Sequence, residues 1–70
     1  MGKEQVARCT EIIAESPNGF MEAVNAGFAR ASKTLHGITG MRVKEHRVSV
    51  KDGKIDTYRV KLEVIFILDD

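Results

Sequence analysis

The side chains able to do chemistry are few and scattered. Ser16, Ser32 and Ser49 are the only serines, Cys9 is the only cysteine, and His36 and His46 are the only histidines. A nucleophile needs a base within hydrogen-bond reach, and none of these serines has an evident partner or sits in a strand-turn-helix elbow. Cys9 lies in a run rich in Val, Ile and Thr, so it reads as a small buried hydrophobe rather than a reactive thiol. The two histidines stand apart from the cysteine without zinc spacing. His36 suits a helix end, where a cation meets the dipole favourably. Glycines 19, 27, 37, 40 and 53 are too dispersed for a phosphate-binding loop. The carboxylates Glu45, Asp52, Asp56, Glu63, Asp69 and Asp70 are equally spread. Hard oxygen ligation of a cation would need copies of the chain to bring single carboxylates together. Arg42, Lys44, Arg47, Arg59 and Lys61 could make a basic stripe, but a solvated or interface face carrying counter-charges is the simpler reading. No catalytic constellation is present, so the chain reads as a binding or structural protein rather than an enzyme.

The elements that would position these groups are plain. From Ile55 to Leu68 the chain alternates, with Tyr58, Val60, Leu62, Val64, Phe66 and Leu68 on one side and Thr57, Arg59, Lys61 and Glu63 on the other. Such a period marks an antiparallel strand with one face covered. Ile65 and Ile67 then make its end apolar on both faces, and little chain remains to cover the second. A strand is expected at about Val6 to Ala14. Ser16-Pro17 predicts a helix start, with Ser16 as cap and Pro17 at the first helical position, and the helix is expected to run to about Leu35. Phe20, Val24, Phe28, Ala31 and Leu35 form its apolar stripe, while Ala23, Gly27 and Ala31 let its backbone lie close to a sheet. Gly37 is expected as its left-handed cap. A second strand spans about Thr39 to Lys51. Met41 and Val43 fall on one parity and Val48 and Val50 on the other, which predicts a bulge within Lys44 to Arg47. Lys51-Asp52-Gly53-Lys54 is a hairpin turn. The fold class is therefore α+β: strand-helix-strand-strand, a three-stranded antiparallel sheet packed on one helix, in a single domain over residues 1–70 with the first five expected to be flexible.

Seventy residues are marginal for a lone domain. With one cysteine and no zinc spacing, self-assembly is the remaining staple, in agreement with the two-faced strand end. Eleven basic residues against ten acidic ones predict no electrostatic appetite for nucleic acid or for an anionic membrane. The longest apolar run, Val64 to Leu68, is too short to span a bilayer, and a cytoplasmic location is expected.

The same residues carry a family resemblance. The element order resembles the dodecins, as do Glu11-Ile12-Ile13 leading to Ser16-Pro17, the stretch Ala29 to Leu35, and Thr57 to Phe66; together they cover residues 6–68. The resemblance implies a hollow homododecamer and a small-ligand binding or storage protein, with FMN or riboflavin as cargo. Family flavin sites pair a stacking tryptophan with a glutamine. Their places fall here on Gly40 and Arg59. Gly40 removes the flat apolar plate, and neighbouring Met41 would point to the opposite face. Arg59 keeps hydrogen-bond donors, loses an acceptor and adds a charge that suits an anion or a partner such as Glu45 or Glu63. The implied ligand residues are thus Gly40, Met41, Arg59 and Glu45. The alternative is a calcium-binding or purely structural dodecameric cage, and the metal ligands stay unassigned.

Overall fold

A computed structural model describes residues 4–68, in the order β1 (Ala7–Ser16), α1 (Phe20–Ser32), β2 (Ile38–Lys51) and β3 (Lys54–Ile67). The three strands form one antiparallel sheet in the order β1-β3-β2. The strand with the cleanest alternation is thus the central one, paired on both sides. The helix crosses from β1 to β2 over one face of the sheet. Along β3, Val60, Leu62 and Val64 are fully buried beneath it. Ala23 of α1 joins Val60 and Leu62 at the centre of the core, and Ile12, Ala14, Phe20, Val24 and Met41 pack around them.

The close approach of helix and sheet depends on Gly27. A methyl group there would lie 2.7 Å from Leu62 Cδ1 and 3.3 Å from Ala14 Cβ. The buried stripe of the helix is accordingly the small one, Ala23, Gly27 and Ala31, whereas Phe28 on the expected apolar stripe is 46% exposed. Large side chains would have held the backbone away from the sheet, so they flank the contact instead.

Both helix ends differ from expectation. Ser16 closes β1 opposite Tyr58, and its Oγ accepts the Asn18 N–H at 3.0 Å. Ser16-Pro17-Asn18-Gly19 therefore makes a turn. Gly19 is the cap, its carbonyl accepting the Ala23 N–H at 3.1 Å. At the other end the helix stops at Ser32 with Lys33 as cap. Gly37 belongs to the entry of β2, where its carbonyl accepts the Ile67 N–H at 3.0 Å.

The hairpin and the bulge follow the sequence. Asp52 (φ 53°) and Gly53 (φ 75°) both take the left-handed region, as a two-residue turn matched to strand twist requires. In β2 the register against β3 shifts between Val43 and Glu45, leaving Lys44 as the extra residue, with further shifts between Ile38 and Gly40 and between Ser49 and Val50. The central shift puts Val43 opposite Leu62 and both His46 and Val48 opposite helix-side residues, Val60 and Tyr58. His46 lies beyond the bulge, its ring edge-on to Phe20 at 4.9 Å. The molecule is elongated, 57 × 20 × 15 Å, because the hairpin end of β2 and β3 runs past the start of their pairing with β1.

Candidate functional site

Residues opposite each other in an antiparallel pair point to the same face. Arg59 pairs with Glu15 on one side and Arg47 on the other; Lys61 pairs with Ile13 and Glu45. All six therefore share the face that the helix leaves open. Ile13, Glu45, Arg47, Arg59 and Lys61 line a cavity of about 120 Å³ there. The implied ligand residues Arg59 and Glu45 meet at this cavity, together with Arg47 and Lys61 of the basic stripe. Ile13 and Glu15 could be placed there only once β1 was registered against β3, a pairing to which no turn connects them.

The face is laced with ion pairs. Arg59 Nη2 donates to Glu15 Oε2 at 2.7 Å, and Arg47 Nη2 to Glu45 Oε2 at 2.7 Å. Lys61 Nζ lies 3.6 Å from Glu45 Oε1. Farther along, Arg42 Nε donates to Glu63 Oε1 at 3.1 Å, and Lys44 reaches across the central strand to Glu11. The bulge is what turns Lys44 toward Glu11 and returns Glu45 to the row of Lys61. The basic stripe is thus a charge-matched face. Arg47 beside Glu45, with Lys61 adding a smaller effect, holds that carboxyl below its ordinary range, and Lys44 does the same for Glu11. Glu11 in turn raises the Lys44 ammonium.

Gly40 lies on the same open face, opposite Ile65. Ile65 is six residues from Arg59 along β3, so Gly40 and Arg59 are separated by roughly 20 Å at about 3.3 Å per residue. A Cβ at Gly40 would meet nothing within 4 Å. Met41 is turned to the helix side, opposite Val64, and packs on the core. Phe28, Ile38, Thr39, Gly40 and Met41 border a shallow cleft of about 310 Å³ at the sheet edge. Within one protomer, then, the residues singled out form two separate places rather than one.

Cys9 corrects the sequence reading: it is exposed, because it pairs with Ile65 on the face without a helix. Among the described residues no group of three His, Cys, Asp or Glu side chains could hold a metal ion. Asp69 and Asp70 lie outside the described residues. No helix among the described residues is long and apolar enough to cross a membrane.

A central strand flanked on both sides, one helix on one face and a charged, partly apolar open face define a small α+β protein with a surface suited to ligand and self-contact. The comparisons give that class its family. The dodecin family model matches residues 6–69. The dodecin of Thermus thermophilus is 37% identical over 70 residues, covering 100% of this chain and 99% of that protein. The structure of dodecin from Streptomyces davaonensis superposes with a TM-score of 0.92 at 37% identity, covering 97% of this chain and 100% of the other. A calcium-chelating immunodominant antigen of Mycobacterium tuberculosis, described as a calcium dodecin with a novel calcium-binding site, superposes at 0.79, with 37% identity and 91% of each chain covered. The chain belongs to the dodecin family. Dodecins are ligand-binding and storage proteins that bind flavins, and dodecamer assembly is known for their fold.

Proposed function

We propose that this protein is a homododecameric store for a small planar ligand of the flavin type, FMN or riboflavin, held on the open face of the sheet where copies meet. The observation that carries this reading is the separation of its two candidate places. Gly40 and Arg59 share one face but lie roughly 20 Å apart, farther than one ring system reaches. The cavity at Arg59, about 120 Å³, is also well below the 300 Å³ or more typical of a small-molecule pocket. A second copy laid on this face would complete both. Apolar Ile13 (58% exposed) and the half-buried Ile65 offer such a copy something to cover.

The site differs from a stacking site in a way that sets its affinity. With no aromatic side chain at position 40, the ligand loses a stack worth about 0.5–1.5 kcal/mol beyond burial. Arg59 supplies donors only. Flavin is therefore held more weakly than between indole rings. Titration of riboflavin and FMN with the purified protein, followed by quenching of flavin fluorescence, tests the reading. Saturable quenching near micromolar protein supports it; none at high micromolar protein overturns it.

A cation is the second reading, supported by the 37% identity to the calcium dodecin of M. tuberculosis. Within one protomer Glu45 already faces two cationic partners, Arg47 and Lys61, so calcium would have to displace them or find carboxylates at a contact between copies. Chelation separates the two cases. A thermal midpoint lowered by EDTA and restored by calcium supports cation binding, since a ligand specific for the folded state stabilises it.

A further inference from the structure

The turn between β1 and α1 carries an Asn-Gly pair, Asn18-Gly19, that takes no part in either candidate ligand place. Asparagine is among the chemically labile residues of a protein, most of all where glycine follows it. Glycine at 19 is demanded by the backbone, since φ 157° and ψ 172° lie in a region essentially closed to other residues. A Cβ there would also lie 2.5 Å from Glu22 Oε1. Asn18 is exposed, and among the described residues its side-chain amide makes no hydrogen bond. The Gly19 N–H has no partner among them either, as is usual at a helix start. Nucleophile and electrophile are thus adjacent, uncommitted and wet, with no side-chain bulk on the attacking residue. Asn25, the only other asparagine, is the contrast. It is exposed too, but it lies inside α1, where Ala26 commits its N–H to the helix ladder and carries a methyl group.

We propose that Asn18 is a site of spontaneous deamidation, with water as the only co-reactant. The Gly19 nitrogen attacks Asn18 Cγ. A bond forms between them, the Cγ–Nδ2 bond breaks, and the side-chain nitrogen leaves as ammonia with the proton from Gly19. Water then opens the cyclic imide. Addition at Cγ gives aspartate at position 18; addition at the main-chain carbonyl carbon gives isoaspartate, whose backbone is longer by a methylene. The two products act differently on the fold. Aspartate keeps the backbone and places a negative charge just before the positive end of α1. Isoaspartate inserts its extra atom between two fixed points. One is Ser16, 7% exposed and paired with Tyr58; the other is Gly19, whose carbonyl accepts the Ala23 N–H. Phe20 follows at once, its ring edge-on to His46 at 4.9 Å and to Tyr58 at 5.1 Å. The isoaspartyl form therefore displaces the ring that closes this end of the core.

The test ages the unaltered, assembled full-length protein at mildly alkaline pH and follows the peptides holding Asn18 and Asn25 by mass spectrometry. Position 18 is expected to lose its amide at least tenfold faster than position 25 and to yield both aspartate and isoaspartate. The melting temperature is expected to fall as isoaspartate accumulates. Asn18→Asp, which has the charge without the longer backbone, is expected to melt at or above the unaged protein. An amide at position 18 that lasts as long as the one at 25 overturns the proposal. So does an amide lost only after unfolding in denaturant, because the folded turn would then protect it. Loss without any isoaspartate also overturns it, since direct hydrolysis would have bypassed the Gly19 nitrogen.

Discussion

At the level of single residues, positions 40 and 59 decide how a ligand would be held. Arg59 was legible beforehand because Tyr58 anchors its strand and strict alternation fixes its face. Its partner Glu15 was not, since the reach between them depends on the register of β1 against β3. Cys9 was misread for the same reason: a strand rich in β-branched residues reads as buried, while the uncovered face of the sheet left it exposed. Space at Gly40 is open, so an indole there meets no obstacle in the protomer. The double change Gly40→Trp with Arg59→Gln is expected to tighten riboflavin binding roughly two- to tenfold, the equivalent of one aromatic stack, measured by fluorescence quenching. Acid sensitivity belongs to this scale too. Glu45 and Glu11 titrate below their ordinary values when folded because of Arg47 and Lys44. Their contribution is fully present above the unfolded value of about 4.3 and is lost as the pH falls through the lower, folded values. The thermal midpoint is expected to drop on acidification below about pH 4.3, and Glu11→Gln with Glu45→Gln to flatten that drop. A pH series of melting curves on both proteins checks it.

Among the elements, the one with the least conspicuous sequence sets the packing distance. The helix was expected from its large apolar stripe, and its close approach to the sheet from Ala23, Gly27 and Ala31; the small residues are the buried ones, while Phe28 of the large stripe is exposed. The reason is visible at Gly27, where a methyl group would sit 2.7 Å from the buried Leu62 side chain. Gly27→Ala gains about 1 kcal/mol of helix propensity but forces Leu62, Ala14 and Ile12 apart, an overpacking that costs about 1–3 kcal/mol. The net effect is expected to be a lower denaturation midpoint, readable by urea titration. A higher midpoint would mean that α1 lies farther from the sheet than described. Leu62→Ala, at the centre of the core, is expected to cost about 2–5 kcal/mol in the same experiment. The hairpin, the bulge and the long strands were legible because turn chemistry and parity are local. The helix ends were not: Ser16 has the chemistry of a cap, but strand pairing with Tyr58 holds it one turn too early.

At the scale of the whole molecule the chain belongs to a fold for which dodecamer assembly is known. One face of the sheet carries the helix, and the other carries ion pairs, Ile13, Ile65 and the candidate cavity. A chain of 70 residues with five fully or nearly buried apolar side chains among its described residues has little to spare for stability alone. Assembly was expected from the two-faced end of β3, in keeping with the dodecamers known for the dodecin fold. How the copies lie on one another was not legible, because single-chain periodicity contains no information on symmetry. Twelve chains of 7.8 kDa make a particle of about 94 kDa. Ligand held between copies must appear with the particle and vanish with it. The most direct measurement is native mass spectrometry of the full chain, with and without FMN, at low micromolar protein. The expected result is a species of about 94 kDa that gains mass in steps of one FMN, with protomers released from it free of ligand. A particle that takes up no FMN, or a lone protomer that does, would contradict it.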